Sequence, residues 1–355
     1  MDYRITADER VRFKRCRRQW DFASPHRRNL QPAGFADPPL PTALKDALAV
    51  YYYPGTWDWP HEVTQPLVRK ALQRSLDDAG AHDAFQRGVA VLDCYDAWAA
   101  TIDDFAPVKV NCEVRALVPD PDEPERGLLV HDGSAVVYPC LIDLLAVDAA
   151  DEYWVVSHQI VDEWRDLEAL VRDEEAVAAC WAVEQDYLGL TVAGTIHNEL
   201  RIGGSLDFPP TGATATSTRK AVAQHEGSGG GRSLPQHQRV SARASRAGAA
   251  SRTAQYGAGI LRRTRIRRTR HEITTVGALI AAEVAEMTRW PPIYPTPAAH
   301  CRDCEFRAPC LALTEGADPE PVLAANFRVA PAERPKPRLG QSTWGFGRGA
   351  APPRW

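Results

Sequence analysis

Four of the eight cysteines constrain this 355-residue chain more than anything else in it. Cys301, Cys304 and Cys310 form a C-x2-C-x5-C cluster near the C-terminus, in HCRDCEFRAPC. Two thiolates two residues apart can bind one metal centre from a tight turn. A third follows a short loop carrying Pro309. A chain with no secretory signal core uses such spacing for metal rather than for disulfides. Three thiolates leave a tetrahedral site or a cubane cluster one ligand short. Cys16, in the Arg-rich stretch FKRCRRQW, is the expected fourth. The metal then ties the first 20 residues to the last ordered segment and closes a very long loop. Any fold must bring those two ends together. Zinc and an iron–sulfur cluster compete, and one remote cysteine beside a C-x2-C-x5-C run favours the cluster. Cys94, Cys112, Cys140 and Cys180 lie in apolar stretches and read as small buried hydrophobes.

Charge is the second constraint. The net −4 conceals a strong asymmetry: residues 211–270 hold thirteen Lys or Arg against one acidic residue, Glu226. An acidic body thus carries a basic insert, which points to an anionic partner, nucleic acid first. Arg262, Arg263, Arg265, Arg267, Arg268 and Arg270 are the expected phosphate contacts, because ordered elements flank them. No apolar run approaches the roughly 20 residues needed to span a bilayer. The charged N-terminus has no signal core, so a cytoplasmic protein is expected.

Hydrophobic periodicity divides the chain. Residues 1–105 read as a basic N-terminal segment followed by helices, broken at Pro54-Gly55. Residues 106–206 change period: strands at 109–119, 127–132, 135–148 and from 153, a helix over 166–187, then a strand at 191–202. This order implies an α/β fold with a mixed central sheet flanked by helices. Residues 207–260, rich in Gly, Ala and Arg, are expected to be disordered. A frame shift in a GC-rich gene leaves a similar composition. Residues 261–315 should complete the core with a strand at 261–268, a helix opened by a Thr269/Glu272 capping box, and the cysteine cluster. Residues 316–355 are expected to be a disordered tail.

These features resemble the RecB-like and AddB-like iron–sulfur branch of the PD-(D/E)XK nuclease superfamily. The cysteine spacing and the opening RFKRCRRQWDF carry the resemblance, over roughly residues 8–206 and 261–315. It implies a restriction-endonuclease-like core, with Cys16, Cys301, Cys304 and Cys310 holding a 4Fe–4S cluster. It also implies DNA, as single strands or ends, for substrate, and a helicase or other repair protein for partner. Hydrolysis of a phosphodiester needs hard divalent cations, Mg2+ or Mn2+, held by converging carboxylates with a lysine nearby. The resemblance assigns the first metal-binding carboxylate to Asp143. The carboxylate-x-Lys unit of the next strand falls on Ser157 and Gln159, which supply neither charge. The early-helix histidine of the family falls on Lys45. A rebuilt site would draw on Glu113, Asp143, His158 and Asp162, with His158 or Arg165 replacing the lysine. Two functions are therefore expected: a metal-dependent nuclease of rearranged site, or an inactive nuclease fold that binds DNA or protein. A zinc-stapled interaction protein is the third.

Overall fold

The computed structural model describes residues 2–35, 38–203 and 253–331. The chain opens with a short strand, β1 (Tyr3–Arg4), and two helices, α1 (Ala7–Arg15) and α2 (Arg17–Ala23). Thr6 starts α1 with a capping box: its hydroxyl accepts from the Glu9 N–H, and the Glu9 carboxylate accepts from the Thr6 N–H. Cys16 lies in extended backbone between α1 and α2. Strand β2 (Leu30–Pro32) precedes three helices, α3 (Pro39–Tyr51), α4 (His61–Asp78) and α5 (Phe85–Ile102). Their apolar faces meet through Leu44, Leu48, Leu72 and Tyr95, all inaccessible to solvent.

The strands follow the expected order: β3 (Phe105–Leu117), β4 (Val136–Asp148) and β5 (Tyr153–Val161). Residues 127–132 form only isolated bridges, Pro119 to Gly127 and Leu129 to Ala135. Pro121, Pro124 and the turn at Gly133 leave that stretch too little regular backbone for a ladder. The helix expected over 166–187 is two helices, α6 (Leu167–Val171) and α7 (Glu174–Asp186). The break follows from Asp173, whose carboxylate accepts from the Ala176 N–H and starts α7 afresh. Strand β6 (Val192–Arg201) follows.

Residues 204–252 and those from 332 onward lie outside the described residues, so the disorder expected there is not addressed. Residues 253–260 and 316–331, expected to be disordered, are ordered, which corrects the expected boundaries. Strand β7 (Thr253–Ala258) pairs antiparallel with β8 (Leu261–Arg267), which offers it a free edge of backbone donors and acceptors. After α8 (Arg270–Thr288) and α9 (Arg307–Thr314) come α10 (Glu320–Asn326) and β9 (Phe327–Val329). β9 pairs antiparallel with β2, while Phe22, Phe306 and Leu323 bury one another. The expected capping box of α8 is present, with Ile273, Val276, Ile280, Val284 and Met287 buried on one face.

The central sheet has seven strands in the order β1-β4-β5-β6-β8-β7, with β3 on the other side of β4. β3, β4 and β5 pair antiparallel; β5 and β6 pair parallel across α7. Both faces are covered. Val155 packs with α7 and α8, whereas its neighbours Trp154 and Val156 pack with α3 and α5. This is the mixed α/β sheet flanked by helices that the periodicity indicates.

Candidate active site and cysteine staple

Asp143 stands where the β4–β5 ladder ends. The last paired rung is Leu144 with Val156. One step further, Asp143 Oδ2 accepts from the His158 backbone N–H at 2.9 Å, so a side chain replaces the next strand bond. Helix α3 crosses above and sets Lys45 Nζ 3.2 Å from the same oxygen. Asn111, in the middle of β3, adopts φ +45°, a left-handed conformation that asparagine tolerates better than most residues. Lys45, Asp46, Ala49, Asn111 and Asp143 enclose about 10 Å3, room for at most one water.

The other expected members do not join this carboxylate. Glu113 accepts from Arg4 at 2.9 and 3.2 Å and from Arg115 at 3.1 Å, at the exposed end of the sheet. Gln159 turns to the other face of the sheet, where its amide meets His197 and Arg165. Arg165 in turn pairs with Asp173 at 2.8 Å. Asp162 lies in an exposed bend. His158 touches Asp143 only through its backbone. Its ring is 2% exposed and stacks on Tyr52 at 5.5 Å, so it does not stand beside Asp143 in place of the lysine. Because α3 and α5 cover that face, alternation along β5 points the ring inward. Burial pushes its pKa down to about 4, so it is neutral at physiological pH.

A buried polar network that the sequence reading missed surrounds His158. Its Nδ1 lies 3.3 Å from Asn198 Nδ2, and Asn198 accepts from Arg263 Nε at 2.6 Å. Arg263 pairs with Asp103 at 2.8 Å. Tyr52 and Tyr95 share a hydrogen bond of 2.8 Å beneath the ring. Desolvation by burial raises both phenols well above 10. The only sequence signal was polar residues at inward positions of strands that are apolar on both sides.

The arginines of β8 and its flank, expected to contact phosphate, are engaged with the protein's own groups. Arg263 and Arg268 are buried. Arg262 pairs with the inaccessible Glu199 at 2.6 Å, Arg265 with Asp104 and Asp148, Arg267 with Glu152, and Arg270 with Glu184. Arg268 Nη2 donates to the Leu170 carbonyl. β8 lies between β6 and β7, and its arginines reach the protein's own carboxylates and carbonyls, although Arg267 and the neighbouring Arg270 keep about half of their side chains in solvent.

The cysteine ends do meet. The Arg18 N–H donates to the Tyr294 carbonyl at 3.1 Å, and the Arg18 guanidinium lies 3.5 Å from Cys310 Sγ. Gln19 donates to Glu305, between the second and third cysteines of the cluster. Phe22 stacks on Phe306 at 5.2 Å. Burial raises the Cys304 thiol, and the Glu305 carboxylate, Cys16 and Cys301 add to the shift. His300 Nε2, beside Cys301, is buried without a hydrogen-bond partner. In kind, this all-thiol donor set with a hydrophobic shell fits a thiolate-held metal centre. Among the described residues, however, no group of three or more His, Cys, Asp or Glu side chains is already disposed to hold a metal ion. At Asp143 the donors do not fit a Mg2+ site: the Lys45 ammonium pairs with the carboxylate, and among the described residues no group of three or more ligating side chains forms there.

No helix among the described residues is long and apolar enough to cross a membrane. Comparison of the chain with models of known protein families returned no match. Comparison with curated proteins returned none either.

Proposed function

We propose that this chain is a DNA-binding protein built on a RecB-like nuclease fold, with no hydrolytic centre. The observation that carries this reading is the Lys45–Asp143 pair. A PD-(D/E)XK enzyme needs a divalent cation on this carboxylate, with a second carboxylate and a lysine from the next strand. Here the Lys45 ammonium sits on it, and Ser157 and Gln159 hold the other two positions. The ammonium neutralises Asp143 without activating water, so the fold keeps its charge balance and loses its chemistry.

Two further observations support the nuclease-like reading. Strands β3, β4 and β5, helix α7 and strand β6 succeed one another with antiparallel, antiparallel and parallel pairing, the order expected of the nuclease core. Arg18, two residues after Cys16 on α2, reaches Cys310. Cys16, Cys301, Cys304 and Cys310 would hold a 4Fe–4S cluster there, as a staple and not as a reactive centre. A partner that cuts or unwinds, such as a helicase or another repair protein, would then supply the chemistry.

The test is a nuclease assay on purified protein with labelled single-stranded and duplex DNA, in Mg2+ and in Mn2+. The expected result is retarded DNA without cleavage. Cleavage that disappears in Asp143→Ala would overturn the reading.

A further inference from the structure

Where DNA would sit is a separate question, because the β8 arginines are engaged internally. We propose that a surface beside the cysteine staple binds single-stranded nucleic acid, stacking bases on Trp290 and Tyr294 and contacting phosphates with Arg15, Arg18, Arg302 and Arg307. The inference rests on the reading of the chain as a DNA-binding protein and locates its interface.

Three observations converge on this surface. The first is charge. Residues 10–28 hold eight Lys or Arg and one acidic residue; Arg10, Lys14, Arg17, Arg27 and Arg28 pair with carboxylates, which leaves Arg12, Arg15 and Arg18 of the run. Arg15, Arg18, Arg302 and Arg307 have no carboxylate partner among the described residues. Arg15 instead donates to the His300 carbonyl at 3.4 Å. Arg18 donates to the Cys310 carbonyl at 3.3 Å and to the Thr314 hydroxyl at 3.2 Å. These contacts hold the guanidinium groups in place yet leave their charge uncompensated, as a phosphate-binding face requires.

The second is exposed aromatic surface. Trp290 is 66% exposed and Tyr294 47%. Both rise from the irregular segment that links α8 to the cysteine cluster. Four prolines within residues 290–297 keep that segment extended. Each ring is braced by a guanidinium: Arg27 lies 4.6 Å from the Trp290 ring and Arg17 5.3 Å from the Tyr294 ring. Rings fixed this way give up little freedom when a base stacks on them. Base–aromatic stacking is how sequence-tolerant single-strand binders gain affinity.

The third is the backbone of Trp290 itself. It adopts φ +55° directly after the C-cap of α8, where glycine is the usual residue. A bulky side chain there costs stability, and the following Pro291 adds to the restriction. A residue kept against that cost, with its ring in solvent, fits a contact role better than a packing one.

The experiment uses the full chain and fluorescein-labelled oligothymidylate of 20 nucleotides, read by anisotropy across a salt series. Trp290→Gly relieves the left-handed strain, so it should not lower the melting temperature while it removes the ring. Trp290→Gly combined with Tyr294→Ala should weaken binding at least tenfold, whereas Trp59→Ala, an exposed tryptophan elsewhere, should leave it unchanged. Arg302→Gln with Arg307→Gln should weaken binding and flatten the salt dependence. Single strands should compete better than a duplex of the same length. Wild-type affinity in the aromatic double variant would overturn this surface and leave the DNA-binding reading standing. Equal competition by duplex would overturn the stacking role. No oligonucleotide binding by the wild-type protein would overturn both.

Discussion

Lys45 and His158 show how single residues decide this site. Both lie within reach of Asp143, yet one presents a charged group to it and the other only a backbone N–H. The His158 ring is sealed against Tyr52, and His197 is equally inaccessible. Desolvation by burial lowers both pKa values to about 4 from 6.5. Below pH 6.5 the unfolded chain takes up protons that the folded chain refuses until about pH 4. Stability is therefore complete above pH 6.5 and falls as the pH drops toward 4, by roughly 2 kcal/mol per histidine at pH 5. Thermal unfolding should show a lower melting temperature at pH 5 than at pH 7.5. His158→Gln with His197→Gln should flatten that dependence, and an unaltered slope would contradict the assignment. At this scale the sequence was partly legible. The resemblance set Lys45 on the early helix and Asp143 on a strand of the core, and the two meet. The direction of His158 was not legible, because both faces of the sheet are covered and alternation alone does not say which neighbour fills which side.

Elements are positioned by caps and close approaches. The Thr269/Glu272 box that opens α8 is written in four residues, so it was readable from the sequence. The second start at Asp173 was hidden, because the run from 166 to 187 keeps its helical pattern across the break. β7 was missed for a different reason. TAQYGA has little apolar content, and its order comes from pairing with β8, a non-local gain that local composition does not register. α8 approaches α7 closely at Gly277. A Cβ there would lie 2.4 Å from Trp181 Nε1, and Trp181 is itself buried against Tyr138. Alanine adds up to about 1 kcal/mol of helix propensity but overpacks this contact by roughly 1–3 kcal/mol. Gly277→Ala should therefore lower the melting temperature; a stabilised variant would show that the two helices have room to part.

Across the whole molecule, the N-terminal helices and the C-terminal cysteine segment form one unit beside the sheet. β2 with β9, Phe22 with Phe306, and Arg18 with Cys310 join residues nearly 300 positions apart. The cysteine spacing foretold that closure. It did not foretell that β8, the most basic strand, would be interior, because only the strand order brings Glu199, Asp148 and Glu152 to its arginines. The proposed 4Fe–4S cluster would sit at this closure of the two chain ends. Iron and acid-labile sulfide analysis of anaerobically purified protein tests it most directly. A brown protein with about four iron and four sulfide per chain, both lost in Cys16→Ser, is the predicted result. A colourless protein carrying zinc or no metal would contradict it.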